Sequence, residues 1–213
     1  MGLQRILGLG SYQTAWSWLH KMRHAMVRPG RDRLCGDVEI DETLIGGEEH
    51  GGKRGRGTEN KSIVVIAVEI NKPKGFGRVR MQLIPDASSE NLMPFVENSV
   101  EPGSTIYTDC WRGYNPLSTM GYLHERINLS EENDPAHVLM PGVHRIASLL
   151  KRWLLGTHQG AASQQHLDYY LDEYTFRFNR RTSTARGMLF YRLLQQAAGM
   201  PTITYRELVD YAN

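Results

Sequence analysis

The sequence predicts an α/β fold in which helices cover a mixed β-sheet. Three segments with strand-like apolar patterns, 37–45, 61–70 and 78–88, follow one another and predict a meander of three strands. A helix, a short β-branched strand, a short helix, another strand and several amphipathic helices follow in that order. A meander followed by alternating helices and strands is typical of a mixed sheet with helices on its faces.

The first predicted strand lies within "GDVEIDETLIGG", residues 36–47, where Val38 and Ile40 alternate with Glu39 and Asp41. This period of two is typical of a strand with one buried face. Carboxylates avoid burial unless something pairs with them, so the acidic residues of this strand need a partner. The rest of the sequence has to supply that partner.

The remaining strands differ in how much of each is apolar. "KSIVVIAVEI" at 61–70 is almost wholly apolar and predicts a central strand buried on both faces. "RVRMQLIPDAS" at 78–88 alternates and predicts the third strand. "PGSTIYTDC" at 102–110 predicts a short strand that ends in Asp109, and "YLHERINL" at 122–129 predicts an edge strand.

Helical spacing of apolar residues predicts five longer helices. They cover approximately 11–27, 91–100, 143–156, 163–178 and 185–199. The residues predicted to form the buried stripe of the first helix are Ala15, Leu19, Met22 and Met26. Those predicted to form the stripe of the third are Val143, Ile146, Ala147, Leu150 and Leu154. Pro94 is expected in the first turn of the second helix, and Gly156 at the end of the third.

Composition argues against a membrane-spanning or disulfide-rich protein. No apolar run approaches the ~18 residues of a transmembrane helix, and the N-terminus does not resemble a secretory signal. Cys35 and Cys110 lie far apart and form no C-x-x-C motif, so we expect two reduced thiols in the core. These observations predict a cytoplasmic protein.

The charges are unevenly distributed along the chain, although the net charge is only +2. Residues 1–36 and 144–192 are rich in Arg and Lys, and an acidic stretch, "HERINLSEENDPAH", lies between them. Two basic regions around acidic positions suit a phosphate-rich partner. The alternative is ordinary solvated surface charge.

Two carboxylates stand where strands of such a sheet are expected to assemble a site. Asp41 lies in or at the end of the first strand, and Asp109 ends the fourth. Two carboxylates that meet there repel each other unless a cation lies between them, and an oxygen-only site suits Mg²⁺ or Mn²⁺. Such ions activate water or a hydroxyl for attack on a phosphodiester. Alternatively, Asp41 forms a turn before the glycines and Asp109 caps a helix.

Five segments in this order resemble the ribonuclease H-like core of DDE transposases and retroviral integrases. They are "VEIDETLIGG", "TDCWRGY", "GYLHERINL", "LLKRWLLGTHQG" and "YLDEYTFRFNRR". The finer pattern resembles the zinc-ribbon subgroup of bacterial insertion-sequence transposases, the fifteen-ninety-five family, from about Ser11 to Leu194. The resemblance implies a mixed five-stranded ribonuclease H-like sheet flanked by helices, with extra C-terminal helices.

The resemblance also implies a catalytic site. Asp41 and Asp109 would be the first two catalytic acids, and the third residue would stand on the late helix, seven residues before Lys151, where this chain has His144. The three residues would hold two divalent cations, Mg²⁺ or Mn²⁺. The superfamily usually has Glu at the third position, and a histidine suits Mn²⁺ better than Mg²⁺. Glu39 shares a strand face with Asp41 and would either help to bind metal or pair with a base.

The function implied is metal-dependent cleavage and strand transfer of double-stranded DNA at the ends of an insertion sequence. The expected assembly is a homodimer or larger, associated with the nucleoid. The residues expected to bind nucleic acid are Lys151, Arg152, Lys53, Arg54, Arg56, Arg180 and Arg181. Two alternatives remain open: an inactive DNA-binding remnant, and a nuclease of the same fold that cuts without joining.

The predicted domains are an N-terminal helical DNA-binding remnant at 1–34, a catalytic domain at 35–200 and a tail at 201–213. Family members begin with a zinc ribbon, and this chain has no cysteine pair before Asp41. His20 and His24 have the i, i+4 spacing of a zinc hydrolase, but "HKMRH" lacks the general base of H-E-x-x-H. "GGKRGRG" at 51–57 lacks the Walker pattern, and "FRFNRR" at 176–181 fits either nucleic-acid contact or core packing.

Overall fold

The structure, a computed structural model, describes residues 2–28, 30–46, 61–73, 75–128, 135–158 and 164–210. The chain forms two compact units, which are described separately. The first unit comprises Met1–Arg31 and Gln165–Asn213, and the second comprises Asp32–Gln164. The predicted domains 1–34, 35–200 and 201–213 divide the chain differently, and their assignment to DNA binding and catalysis stays a prediction.

The second unit is built on one five-stranded sheet. Its strands are β1 (Asp37–Ile45), β2 (Ser62–Ile70), β3 (Phe76–Ile84), β4 (Thr105–Asp109) and β5 (Leu123–Ile127). The strand order is β3-β2-β1-β4-β5. β1, β2 and β3 pair antiparallel, whereas β4 pairs parallel with both β1 and β5. This arrangement confirms the predicted ribonuclease H-like mixed sheet, with β5 as the predicted edge strand.

The apolar sequence of β2 follows from its position inside the sheet. Residues 64–68 are all buried, because β1 and β3 flank the strand and both of its faces are covered. On one face the core contains Val38 and Ile40 of β1 together with Phe95 and Tyr114. The strand-spaced apolar residues thus hold β1 in the middle of the sheet, where its acidic residues must also lie.

Eight α-helices occur in the described residues: α1 (Gly2–Ile6), α2 (Tyr12–His24), α3 (Ser89–Ser99), α4 (Ala136–Leu139), α5 (Pro141–His158), α6 (Leu167–Asn179), α7 (Arg186–Gly199) and α8 (Tyr205–Asp210). Two 3₁₀-helices cover Arg112–Thr119 and Gln164–His166. None of the helices found there is long and apolar enough to cross a membrane.

Three local predictions about these helices were wrong. Pro94 lies in the second turn of α3 rather than the first, because the helix already begins at Ser89. α5 continues past Gly156 to His158, since a glycine without a left-handed conformation does not end a helix. The residues "SEENDPAHVLMPG", rich in helix breakers, predict a loop before α5, whereas Ala136–Leu139 within them are helical, as α4.

α5 packs on the sheet through the stripe that the sequence predicts. Val143, Ile146, Leu150 and Leu154 are buried, and the helix contacts β1 and β2. Residues on the opposite side, including Arg145 and Lys151, are exposed. The helix that carries His144 is therefore fixed to the strand that carries Asp41.

In the first unit, the buried face of α2 differs from the predicted stripe. Leu19 is exposed, whereas His20 and Arg23 are buried. The Arg23 Nε donates to Glu173 Oε2 of α6 over 2.8 Å, and its guanidinium lies over the ring of Tyr170. This buried ion pair turns a charged side of α2 inward, which apolar spacing alone does not reveal.

Both cysteines also differ from expectation. Cys35 and Cys110 are free thiols, but they are exposed rather than in the core. Cys35 precedes β1, and Cys110 follows directly after β4, so both lie just outside the strands whose apolar residues form the core. The prediction of buried thiols was wrong because the buried part of each strand does not extend to the adjoining cysteine.

We predict that α5 is held by its buried leucine and not by its exposed one. Leu150 is 0% exposed and Leu155 is 68% exposed on the same helix. Leu150→Ala should lower the free energy of unfolding by about 2–5 kcal/mol, because it leaves a cavity in the core. The matched control, Leu155→Ala, should change it by less than about 0.5 kcal/mol. Urea unfolding of both variants measures the difference, and equal losses would contradict this packing.

Candidate active site

Asp41 and Asp109 lie at the same level of two neighbouring strands. The parallel ladder pairs Asp37 with Thr105 and ends with Glu39 opposite Tyr107. Asp41 and Asp109 each stand two residues beyond that last pair, so they occupy corresponding positions just past the paired segment of two neighbouring strands. Asp109 is the last residue of β4, as predicted, whereas Asp41 lies inside β1, which continues to Ile45. The interpretation of Asp41 as a turn-forming residue is therefore wrong.

The hydroxyl of Tyr114 reports the same convergence. Burial raises the pKa of Tyr114 well above its ordinary value, and the negative charges of Glu42, Asp41 and Asp109 raise it further. Three carboxylates therefore lie near one phenol. The sequence analysis did not identify Glu42 or Tyr114 as neighbours of the two aspartates. Glu42 stands in the motif "VEIDETLIGG" and Tyr114 in the motif "TDCWRGY".

Backbone hydrogen bonds orient both aspartates. Asp41 Oδ1 accepts from the backbone N–H of Glu42 over 2.8 Å. Asp109 Oδ1 accepts from the backbone N–H of Trp111 over 3.0 Å. The bond to Trp111 is a local turn before the 3₁₀-helix, whose N-cap is Trp111, so the alternative in which Asp109 caps this helix is wrong. Each carboxylate is thus oriented by a backbone N–H that follows it closely in the chain, one residue later for Asp41 and two residues later for Asp109.

His144 lies in the first turn of α5. Its Nε2 is buried and has no hydrogen-bond partner in the described part of the chain. Ser148 and Lys151 stand four and seven residues later, on the same face of the helix, and both are exposed. An imidazole nitrogen that is buried without a partner needs an explanation, such as an ion or a water molecule.

The described residues contain no group of three or more His, Cys, Asp and Glu side chains arranged to hold a metal ion. The structure thus brings Asp41 and Asp109 together and does not bring His144 within metal-binding distance of both. The donor set nevertheless fits a divalent cation, since it offers two carboxylates and a buried imidazole nitrogen without a partner.

Glu39 is neither free nor paired with a base. Its Oε2 accepts from the backbone N–H of Val143, in the first turn of α5, over 3.0 Å. Burial raises the pKa of Glu39, the N–H groups of Val143 and Gly142 oppose that rise, and the negative charge of Asp41 adds to it. The predicted pairing with a nearby base is therefore wrong, because the amino end of a helix takes the place of the base.

Lys151 has a second lysine near it that sequence reasoning missed. Burial lowers the pKa of Lys151, and the positive charge of Lys61 lowers it further. Lys61 directly precedes β2, on which α5 packs. Arg152 is exposed beside Lys151. Three further residues predicted to bind nucleic acid, Lys53, Arg54 and Arg56, lie outside the described residues.

In the first unit, the arginines of "FRFNRR" stack on the aromatic rings of the same segment. The guanidinium of Arg180 lies 3.9 Å from the ring centre of Phe176, and that of Arg181 lies 3.9 Å from the ring centre of Phe178. Phe176 is buried, which favours the core interpretation for this ring. The role of both arginines in nucleic-acid binding stays a prediction.

A cleft of about 500 Å³ opens beside Asp41. It lies between the second half of β1, the residues before α3 and the side chain of Trp111. The Trp111 Nε1 donates to the backbone oxygen of Ala87 over 2.7 Å, which fixes the indole at the edge of the cleft. The same residue donates its backbone N–H to Asp109, so the cleft wall and the second aspartate are linked.

The histidines of the zinc-hydrolase alternative serve another purpose. His20 is fully buried, and its ring centre lies 4.3 Å from that of Trp16 and 5.0 Å from that of His166. Tyr169 also packs against it edge to face. These contacts are those of an aromatic core cluster, so the zinc-hydrolase interpretation finds no support in the first unit.

Comparison with known proteins gives a consistent set of similarities. A family model described as an ISXO2-like transposase domain matches residues 33–179, more than half of the chain. An uncharacterized transposase-like protein of Haemophilus influenzae is 30% identical over 102 residues, which cover 48% of this chain and 81% of that protein.

Two solved structures also resemble the chain. The catalytic core domain of BIV integrase aligns with a TM-score of 0.40 and 14% identity, over 76% of this chain and 95% of its own. The Mos1 strand transfer complex aligns with a TM-score of 0.31 and 12% identity, over 87% of this chain and 63% of its own. At these scores the alignments add nothing to what the strand order already establishes.

Proposed function

Because the chain belongs to the ISXO2-like transposase family, we propose that it cuts DNA at the ends of an insertion sequence and joins the ends to a target. The observation that supports this most is the shared level of Asp41 and Asp109 on adjacent parallel strands. Two carboxylates at adjacent positions repel each other in the free protein and gain from a shared cation. A site of this composition suits phosphodiester chemistry better than acyl or redox chemistry.

The residues divide the work as follows. Asp41 and Asp109 hold two divalent cations, Mg²⁺ or Mn²⁺, and His144 completes the site through Nε2. When bound, the cations activate the attacking oxygen and stabilise the leaving oxygen. Asp109 keeps its orientation through Trp111, and Asp41 through Glu42. The ammonium groups of Lys151 and Lys61 attract a phosphate of the DNA beside the scissile bond.

The proposed partner is double-stranded DNA, both element ends and target, and the active complex is a homodimer or larger. The protein acts in the cytoplasm, on the nucleoid. Lys151 and Arg152 contact the DNA backbone, joined by Lys53, Arg54 and Arg56 of the sequence between β1 and β2. Arg180 and Arg181 add contacts to the DNA if their stacks on the phenylalanines leave N–H groups for phosphate.

A strand-transfer assay with labelled element ends tests the proposal. Cleaved and joined products support a transposase, cleaved products without joining support a nuclease of the same fold, and binding without cleavage supports a DNA-binding remnant. The element's own terminal sequences, flanking the gene, serve as substrate, and scrambled ends serve as control. If the protein neither cuts nor joins DNA with Mg²⁺ and neither cuts nor joins it with Mn²⁺, the proposed activity is overturned.

The first prediction concerns the two aspartates. Asp41→Asn and Asp109→Asn should each abolish cleavage, because each removes a carboxylate from the cation site. In the metal-free protein, neither variant should be less stable, since the substitution also removes like-charge repulsion. The control is Glu125→Gln, the same amide exchange at an exposed position of β5. Robust cleavage by both aspartate variants would rule out the assignment.

The second prediction concerns Lys151 as a phosphate contact. Lys151→Ala should weaken binding to all DNA sequences alike and should reduce the slope of log K against log salt by about 0.9. The control is Lys72→Ala, which removes a lysine that pairs with Asp37 at the far end of β1. Titrations at several salt concentrations measure the slope. An unchanged slope for Lys151→Ala would show that this lysine is only a solvated helix residue.

The third prediction concerns metal preference. An imidazole offers one nitrogen where glutamate offers two oxygens and a charge, so the wild type should cleave faster with Mn²⁺ than with Mg²⁺. His144→Glu should narrow that difference, and His144→Ala should lower activity with both metals. The measurement is the initial cleavage rate in each metal. Equal rates in both metals, unaffected by His144→Ala, would leave His144 as a helix residue without a role in the site.

A further inference from the structure

Glu39 is a buried carboxylate beside the candidate site that the proposed chemistry does not use. Glu39 is 5% exposed, and it lies on the same face of β1 as Asp41, which stands two positions further along the strand. No lysine or arginine of the described chain pairs with it. A buried carboxylate without a cation is costly, so its other contacts must compensate.

Those contacts are with the amino end of α5. The Val143 N–H donates to Glu39 Oε2 over 3.0 Å. The backbone N–H groups of Val143 and Gly142 both lower the pKa of this carboxyl, against the effect of burial. The first N–H groups of a helix have no partner within the helix, and α5 has no acidic residue in its own first turn. The carboxylate of β1 therefore caps a helix that is 104 residues away in the chain.

Gly142 makes this close approach possible. A Cβ at position 142 would lie 2.9 Å from Glu39 Oε2 and 2.7 Å from Ile70 Cδ1. Real Cβ atoms do not tolerate such distances, so a larger residue would displace the ends of the Glu39 and Ile70 side chains and disturb the contact between the carboxylate and α5. The absence of a side chain at Gly142 thus leaves room for the Glu39 carboxylate to reach the backbone N–H of Val143 directly.

We infer that Glu39 is a positioning residue that fixes α5 to β1 and thereby sets the distance between Asp41 and His144. His144 directly follows Val143, whose N–H the carboxylate holds, and Asp41 lies two residues after Glu39 on the same face of β1. The inference rests on the proposed function, in which Asp41 and His144 both bind metal. It makes Glu39 a holder of the helix and not a metal ligand itself.

The decisive measurement is Mn²⁺ affinity by calorimetry, without DNA. Glu39→Gln should weaken Mn²⁺ binding about 10-fold, the usual effect of losing a residue that orients a ligand. Gly142→Ala keeps the charge of Glu39 but displaces its carboxylate from the amino end of α5, and should weaken binding similarly. Glu69→Gln is the control, since it changes another buried glutamate, which lies on β2 and binds Arg78 of β3. This variant should leave Mn²⁺ affinity unchanged.

A double variant separates positioning from direct ligation. If Glu39 acts through His144, Glu39→Gln should cause no further loss of Mn²⁺ affinity in the His144→Ala background. An equal additional loss there, together with normal affinity in Gly142→Ala, would make Glu39 a ligand and overturn the inference. Wild-type protein that binds no Mn²⁺ would overturn it as well.

Amide hydrogen exchange in the metal-free protein tests the contact itself. The Val143 N–H should be protected in the wild type and should exchange at least about 10-fold faster in Glu39→Leu, which has no acceptor oxygen, while the amides of β2 keep their protection. Unchanged exchange at Val143 would overturn the positioning role. Because neither measurement uses DNA, a failure of the cleavage assay would count against the proposed function alone.

Discussion

The parallel pairing of β1 with β4 is the constraint from which the candidate site follows. The pairing sets Asp41 and Asp109 at one level, although 67 residues of chain separate them. Val38, Ile40 and Ile106 are fully buried, so apolar packing holds the two strands together against the repulsion of their acids. The free energy gained by burying these apolar side chains offsets the repulsion between the two carboxylates. A bound cation would reduce that repulsion.

The alternation of β1 then distributes its residues between two faces. Val38 and Ile40 enter the core that contains Tyr114, and Glu42 follows them with the same period. Glu39 and Asp41 face the side on which α5 packs, as the bond from Val143 to Glu39 shows. One strand therefore presents an acid to the phenol on one face and two acids to the helix on the other. Asp37, at the start of the strand, instead pairs with Lys72 and accepts from the Tyr107 hydroxyl.

The sequence predicted the parts of this arrangement that depend on local pattern. Strand-like periods predicted all five strands, and helical spacing predicted the stripe of α5. Contacts between distant parts of the chain could not be predicted in the same way. The capping of α5 by Glu39 joins residues 104 positions apart, and no property of either segment reveals it. The inward turn of Arg23 depends likewise on Glu173, 150 positions away.

The candidate site shows the same division. The spacing of Asp41 and Asp109 at strand positions predicted that they would meet, because parallel strands bring such positions together. The place of His144 was inferred from a resemblance, and its distance from the aspartates depends on how closely α5 approaches β1. Gly142 and Glu39 set that approach, through a hydrogen bond and a missing Cβ that sequence patterns do not reveal. His144 has a buried nitrogen without a hydrogen-bond partner in the described residues, and it stands on the helix that Glu39 holds. Under the proposed function, the approach of α5 to β1 therefore decides whether His144 reaches a cation shared by Asp41 and Asp109.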